Sequence, residues 1–115
     1  MLYFYNMSRN EDSSQDKIFK ALADKNRRKI LDILRKEPHT TGDLCRKLAK
    51  LDRCTVMLHL RVLEEADLVL VRREGRFRWN HLNIDPIHHI YRRWIKNYAE
   101  PSVHLLAQLK EDLER

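Results

Sequence analysis

The sequence predicts a mainly α-helical chain with one small β-hairpin, arranged as a winged helix-turn-helix and dimerised through its terminal helices. Three observations carry that expectation. Residues 40–66 contain two short amphipathic segments separated by a brief polar turn, the pattern of a helix-turn-helix. The period then switches to strand-like alternation on either side of Glu74-Gly75, which reads as a hairpin. Beyond Asp85 the helical period returns, with more large apolar side chains than a small domain needs for its own core.

Taken in order, residues 1–16 read as a flexible N-terminal arm, because N-E-D-S-S-Q has little to bury, although Leu2, Tyr3, Phe4 and Tyr5 suit a partner surface. Residues 17–115 read as one winged-helix domain whose dimerisation helices begin at about residue 84. Its first helix presents Ile18, Phe19, Leu22 and Ala23, and the second, Asn26 to Lys36, presents Ile30, Leu31, Ile33 and Leu34 before Pro38 ends it. The third is capped by Thr40, whose hydroxyl is placed to accept the Asp43 N–H while the Asp43 carboxylate faces the positive helix end. Leu44 and Leu48 share its inner face. Asp52 caps the fourth, where Val56, Leu60 and Leu63 form the inner stripe.

In the hairpin, Phe77 and Trp79 alternate with Arg76 and Arg78, so the aromatic pair is expected inside and the arginines outside. Gly75 supplies the positive φ of a tight turn, expected as a G1-bulge type. Arg72, Arg73, Arg76 and Arg78 then surround one exposed tip. After the wing, Asp85 is the expected N-cap and Pro86 the first helical residue, with Ile87, Ile90, Tyr91, Trp94 and Ile95 on the inner stripe. Pro101 opens a last helix bearing Val103, Leu105, Leu106, Leu109 and Leu113. Phe19, Leu22, Ile90, Tyr91, Trp94, Tyr98, Leu105 and Leu109 are the expected homodimer contacts; packing back onto their own core is the alternative.

Composition narrows the function. A chain of 115 residues with 43% hydrophobic content makes one domain, and 23 basic against 17 acidic residues leave a charge of +6 that attracts polyanions. No stretch approaches the roughly 18 apolar residues of a membrane span, and the first residues lack a signal peptide's pattern, so a cytoplasmic protein without a membrane partner is expected. Cys45 and Cys54 are too few for a disulfide scaffold. With Gly42 and Gly75 as the only glycines there is no phosphate-cradling loop, and no histidine, carboxylate and nucleophile are suitably spaced; an enzyme is not expected.

The partner these residues point to is double-stranded DNA. With Val56, Leu60 and Leu63 inward, Cys54, Leu58 and Arg61 project outward from the recognition helix and Met57 lies at one flank. The expected contacts are Thr41 at the start of the preceding helix, Arg53, Cys54, Thr55, Met57, Leu58, His59 and Arg61 on the recognition helix, and Arg72, Arg73, Arg76 and Arg78 on the wing. Leu58 suits a thymine methyl, while Arg53 or Arg61 supplies hydrogen bonds or phosphate contacts. Two symmetric readers one helical turn of DNA apart select a palindrome. The alternative is a winged-helix protein-interaction module that has lost DNA binding, with Met57, Leu58 and the aromatic N-terminus holding a protein.

Four blocks together resemble the ArsR/SmtB family of winged-helix repressors: A-L-A-D-K-N-R-R-K-I-L-D-I-L at 21–34, T-T-G-D-L at 40–44, T-V-M-L-H-L-R-V-L-E-E-A-D-L-V at 55–69 and R-R-E-G-R at 72–76. The Y-R-R-W helix resembles a metal-independent branch. The resemblance implies an obligate homodimer that occupies an operator and blocks transcription. Three departures stand out. Lys50 and Asp67 occupy positions where the family has glycine, which Asp tolerates in a left-handed conformation better than Lys does, so a reshaped turn is expected at Lys50. Cys54, Met57 and Leu58 replace small polar and basic side chains.

The resemblance also raises metal sensing. Cys45 matches the first cysteine of the family's paired-thiolate motif, but the second position is Lys47, whose charge opposes a metal. His88, His89 and His104 with Asp85 do not reproduce the family's second ligand pattern. No metal site and no cofactor are expected; the effector is left open, with oxidation of Cys45 and Cys54 as one alternative.

Overall fold

Each helix of the reader starts where the sequence places a side-chain acceptor ahead of free backbone N–H groups. The computed structural model describes residues 2–114, with side chains placed over 12–99 and 104–114. Helix α1 spans Leu2–Leu22 and α2 Lys25–Lys36. Asp24 joins them as the N-cap of α2, accepting from the N–H groups of Asn26 at 2.8 Å and Arg27 at 3.2 Å. Two arginines of α2 reach back to finish α1: Arg27 donates to the carbonyls of Ala21 and Lys20, and Arg28 to that of Leu22. The carbonyls a helix leaves open at its C-terminus are thereby satisfied.

The helix-turn-helix follows the sequence closely. Helix α3 spans Thr41–Lys47, and the Thr40 hydroxyl accepts the Asp43 N–H at 3.1 Å. The recognition helix α4 spans Arg53–Glu65, and the Asp52 carboxylate accepts the Thr55 N–H at 2.7 Å. Leu44, Val56, Leu60 and Leu63 are fully buried, joining Ile18, Ile30, Leu34, Leu68 and Ile90 in one core. Each such aliphatic side chain contributes about 1.5–3 kcal/mol through burial.

The two glycine-replacing residues behave differently. Asp67 adopts φ 59° at the end of α4, with its N–H on the Glu64 carbonyl and the Leu68 N–H on that of Leu63. This is a Schellman ending with Asp67 in the left-handed position. Asp67 is the one described non-glycine residue with positive φ. Lys50 is therefore not left-handed, and the turn there is reshaped: Leu48 caps α3 and the Leu51 N–H bonds the Leu48 carbonyl at 2.9 Å.

The wing joins strand β2, Val69–Glu74, to β3, Phe77–Leu82. A third, two-residue strand that the sequence does not signal, β1 at His39–Thr40, pairs antiparallel with β3, giving the order β1-β3-β2. Glu74 pairs with Phe77 across a two-residue loop of Gly75, at φ 59°, and Arg76. Positive φ at the first loop residue alone is the φ pattern of a type II′ turn, not of the expected G1 bulge. The expected faces are also exchanged. Phe77 is exposed and Trp79 half-buried, whereas Arg78 is drawn inward and Asn80 is fully buried. Asn80 sits inside because its amide donates to the His39 carbonyl at 3.2 Å and the Thr41 hydroxyl at 3.1 Å.

At the C-terminal side, helix α5 spans Asp85–Ile90, a π-helical turn covers Tyr91–Ile95, and α6 spans Lys96–Glu114. Ile84, not Asp85, is the cap residue, without a side-chain bond; Asn83 instead accepts the Asp85 N–H. The break expected at Pro101 is absent, since α6 runs through it. The wider π turn leaves the Arg93 carbonyl to the Asn97 amide at 3.0 Å.

Helix α1 likewise runs back through the segment expected as an arm, and Gln15 within that segment is buried. The side chains of Leu2, Tyr3, Phe4 and Tyr5, like that of Val103, lie outside the described ones. No helix among the described residues is long and apolar enough to cross a membrane.

Candidate nucleic-acid interface

Recognition helix α4 buries one stripe and offers the opposite one to solvent. Arg53, Cys54, Met57, Leu58 and Arg61 are all exposed along that outer face, Leu58 at 60%. With Glu64 and Arg78 they line a groove of about 420 Å³ between helix and wing. Its apolar floor and arginine rim suit contact with base methyl groups flanked by phosphates.

The wing adds charge, though not with all four arginines. Arg72, Arg73 and Arg76 are exposed at or beside the tip, and Arg72 lies 3.6 Å from Glu74. Arg78 points to α4 and donates to the Glu64 carboxylate at 2.5 Å, with its side chain 24% exposed. The Arg78 charge is thus spent on holding the wing against the recognition helix, which corrects its expected place among the free tip arginines.

Three more residues expected at the DNA surface sit elsewhere. Thr41 is buried, its hydroxyl accepting from Asn80. His59 is half-buried on the flank of α4 that meets α2, 3.4 Å from an Arg27 guanidinium nitrogen. Thr55 is half-buried, with its N–H taken by Asp52. Long-range partners hold two of them: Asn80 meets Thr41, and Arg27 meets His59.

Carboxylates at the helix starts complete the electrostatics. The Thr55 N–H holds the Asp52 carboxyl below its ordinary pKa, and the Arg46 guanidinium, which donates to Asp43, does the same there. At Asp24 burial pushes the other way, but the N–H groups of Arg27 and Asn26 outweigh it and the net shift is downward. Among the described residues no three His, Cys, Asp or Glu side chains are grouped to hold a metal ion. Cys54 is exposed on the outer face of α4, and Cys45 is half-buried against the core.

Of the expected dimer residues, Ile90 is buried in the chain's own core and Leu22 packs against it. Phe19, Tyr91, Trp94, Tyr98, Leu105 and Leu109 are exposed by 43–63%. Trp94 donates to Gln15 on α1 at 3.3 Å and stacks on Tyr98 with centroids 5.5 Å apart. The Gln15 amide nitrogen is buried without a partner.

A capped helix-turn-helix, a basic wing and an exposed outer face on α4 define a winged helix-turn-helix, the fold of transcriptional regulators. Residues 22–72 match the family described as a helix-turn-helix domain. The chain is 36% identical over 91 residues to the uncharacterized HTH-type transcriptional regulator YuzN of Bacillus subtilis (strain 168), spanning 74% of this chain and 99% of that one. It is 35% identical over 66 residues to the transcriptional repressor SdpR of the same organism, spanning 57% of this chain and 72% of that one. The ArsR-like transcriptional regulator from Rhodococcus sp. RHA1 shares the fold, with a TM-score of 0.70 at 23% identity over 88% of this chain and 94% of that one. This chain belongs to the HTH-type transcriptional regulators and has the fold of ArsR-like regulators.

Proposed function

We propose that the chain is a homodimeric, metal-independent repressor that occupies a palindromic operator, with residues 17–115 as the functional unit. The observation that carries this reading is the outer face of α4: Arg53, Cys54, Met57, Leu58 and Arg61 stand exposed beside a wing bearing Arg72, Arg73 and Arg76. In this reading α4 enters the major groove and chooses sequence, while the wing arginines contact phosphates. Dimerisation is supported by the exposed apolar residues of α1, the π turn and α6 and by an extended shape. The radius of gyration is 18.7 Å, against about 13 Å for a compact chain of this length. Selection of bound duplexes from a random pool tests both halves at once. A palindrome with half-sites about one helical turn apart is expected; an asymmetric single site removes the symmetric dimer.

Leu58, 60% exposed where a reader normally carries polar groups, favours a second reading in which α4 and the wing grip a protein. Titrating salt against random duplex DNA separates the two. Binding that falls steeply with salt belongs to the DNA reader, and no binding even at low salt belongs to the protein-interaction module.

A further inference from the structure

The reading face described above accounts for one flank of α4, the one that meets the wing through Glu64. His59, five residues earlier, meets Arg27 of α2, and at 3.6 residues per turn the two positions lie about 140° apart around the helix. The flank away from the wing therefore belongs to α2 and to the α3–α4 turn. There a second groove, of about 520 Å³, opens between the start of α2 and the turn, and its lining includes Lys25, Lys29, Lys47 and Lys50. All four lysines are exposed. None of them takes part in an ion pair among the described residues. Two carboxylates close in sequence, Asp24 and Asp52, are engaged as caps by the N–H groups of Asn26, Arg27 and Thr55. Asp32 and Glu37 line a separate pocket that Lys47 also borders. Because Lys50 is not left-handed, the turn before α4 has a side chain to offer where a left-handed turn calls for glycine.

We propose that this lysine groove seats the DNA phosphate backbone on the side of the recognition helix opposite the wing. The proposal rests on the DNA-reading function above and extends it. A helix lying in the major groove has a phosphate strand on each side, and the wing supplies cations for one of them. Four lysines beside the start of α4 supply the other. Lysine suits the task, since it presents a point charge that neutralises phosphate without fixing base identity. The groove thus adds affinity but no sequence choice, and it lengthens the duplex the protein covers.

The test compares wild type with Lys25→Gln/Lys29→Gln and Lys47→Gln/Lys50→Gln on a random-sequence duplex and on the duplex obtained by selection, across a salt series. Each double variant is expected to lower the slope of log K against log salt by roughly one unit per lost contact, so by up to about two per subunit and about four for the dimer. Both duplexes should weaken by the same factor, leaving the specificity ratio unchanged. Lys47→Arg/Lys50→Arg should retain the wild-type slope, which separates loss of charge from loss of fold. Unchanged slopes for both glutamine variants overturn the groove proposal alone, and a loss confined to the selected duplex overturns it as well. If wild type binds neither duplex at low salt, the DNA-reading function itself fails, an outcome distinct from the other two.

Discussion

Arg78 on the wing donates to Glu64 near the end of α4 across 2.5 Å, tying the hairpin to the helix proposed to read DNA. The pair is partly screened, with Glu64 41% exposed, so its net contribution to stability is about 1 kcal/mol or less. The pair is expected to act mainly by fixing the angle of the wing to α4. Glu64→Gln should lower urea-measured stability by no more than that amount yet weaken operator binding more, because the wing loses its fixed angle to α4. A variant that binds as tightly as wild type removes the orienting role.

The same pair divides the wing arginines. Arg76 is exposed in the hairpin loop, so Arg76→Ala should weaken binding to all duplexes and flatten the salt slope by about one unit per lost phosphate contact, about two for the dimer. Arg78→Ala should weaken binding with a smaller change of slope, because its charge already faces Glu64. Equal slope changes for both would return Arg78 to the free tip residues.

What was legible in the sequence is what is decided within one turn of chain. Thr40 and Asp52 cap helices three residues away, and the period of Val56, Leu60 and Leu63 fixes which side of α4 is dry. The strand faces were not legible, because distant partners decide them. Asn80 is inside because of His39 and Thr41, 41 and 39 residues away, and Arg78 turns inward because Glu64 is there to meet it. Alternation alone favours the apolar Phe77 and Trp79 for that side. Strand β1, at two residues, is too short to carry a period. The lysine groove was hidden for the same reason, since Lys25 and Lys50 come together only in the fold.

The two positions that lack glycine should respond in opposite ways to receiving it. Asp67 holds φ 59°, so Asp67→Gly should stabilise by about 0.5–1 kcal/mol through relief of the left-handed penalty. Lys50→Gly gains nothing in the folded state and enlarges the unfolded ensemble, costing about 0.4–1 kcal/mol. Thermal and urea unfolding of the two variants check the signs.

Acid should loosen the helix starts first. Asp24, Asp43 and Asp52 all have folded pKa values below the ordinary 3.8, so the folded form releases their protons more readily than the unfolded chain. Their stabilisation is complete above about pH 4, declines as pH falls below 3.8, and is gone once pH passes below the depressed folded values. Asp52→Asn keeps a cap acceptor but no titrating group. The stability gap between wild type and this variant should therefore shrink between neutral pH and pH 3; a constant gap would remove Asp52 from the acid response.

Trp94 joins α1 to the π turn through Gln15, so its replacement alone cannot separate dimer loss from local damage. Leu109 can, since it is 50% exposed on α6. By two-fold symmetry Leu109→Glu removes two apolar contacts, about 3–6 kcal/mol, and should weaken a dimer at least a hundredfold. Trp94→Asp should also dissociate it. Sedimentation mass is the measurement, with unchanged helical circular dichroism for Leu109→Glu. A dimer mass for that variant, or a monomer mass for wild type at the same concentration, removes the proposed interface.

Leu58 carries the most specific expectation, because it is the most exposed large apolar side chain described on α4 and lines the groove beside Met57 and Arg61. If it packs on a thymine methyl, Leu58→Ala should lose about 1 kcal/mol on the selected operator, in keeping with partial loss of one apolar contact. On the same duplex with uracil at the contacted position the methyl is already absent, and the substitution should cost little. The pairing of duplexes guards against a trivial outcome, since a displaced helix would weaken binding to both alike. Equal losses on thymine and uracil duplexes therefore remove direct methyl readout. Unchanged DNA binding combined with loss of a protein partner would assign the exposed leucine to the protein-interaction reading instead.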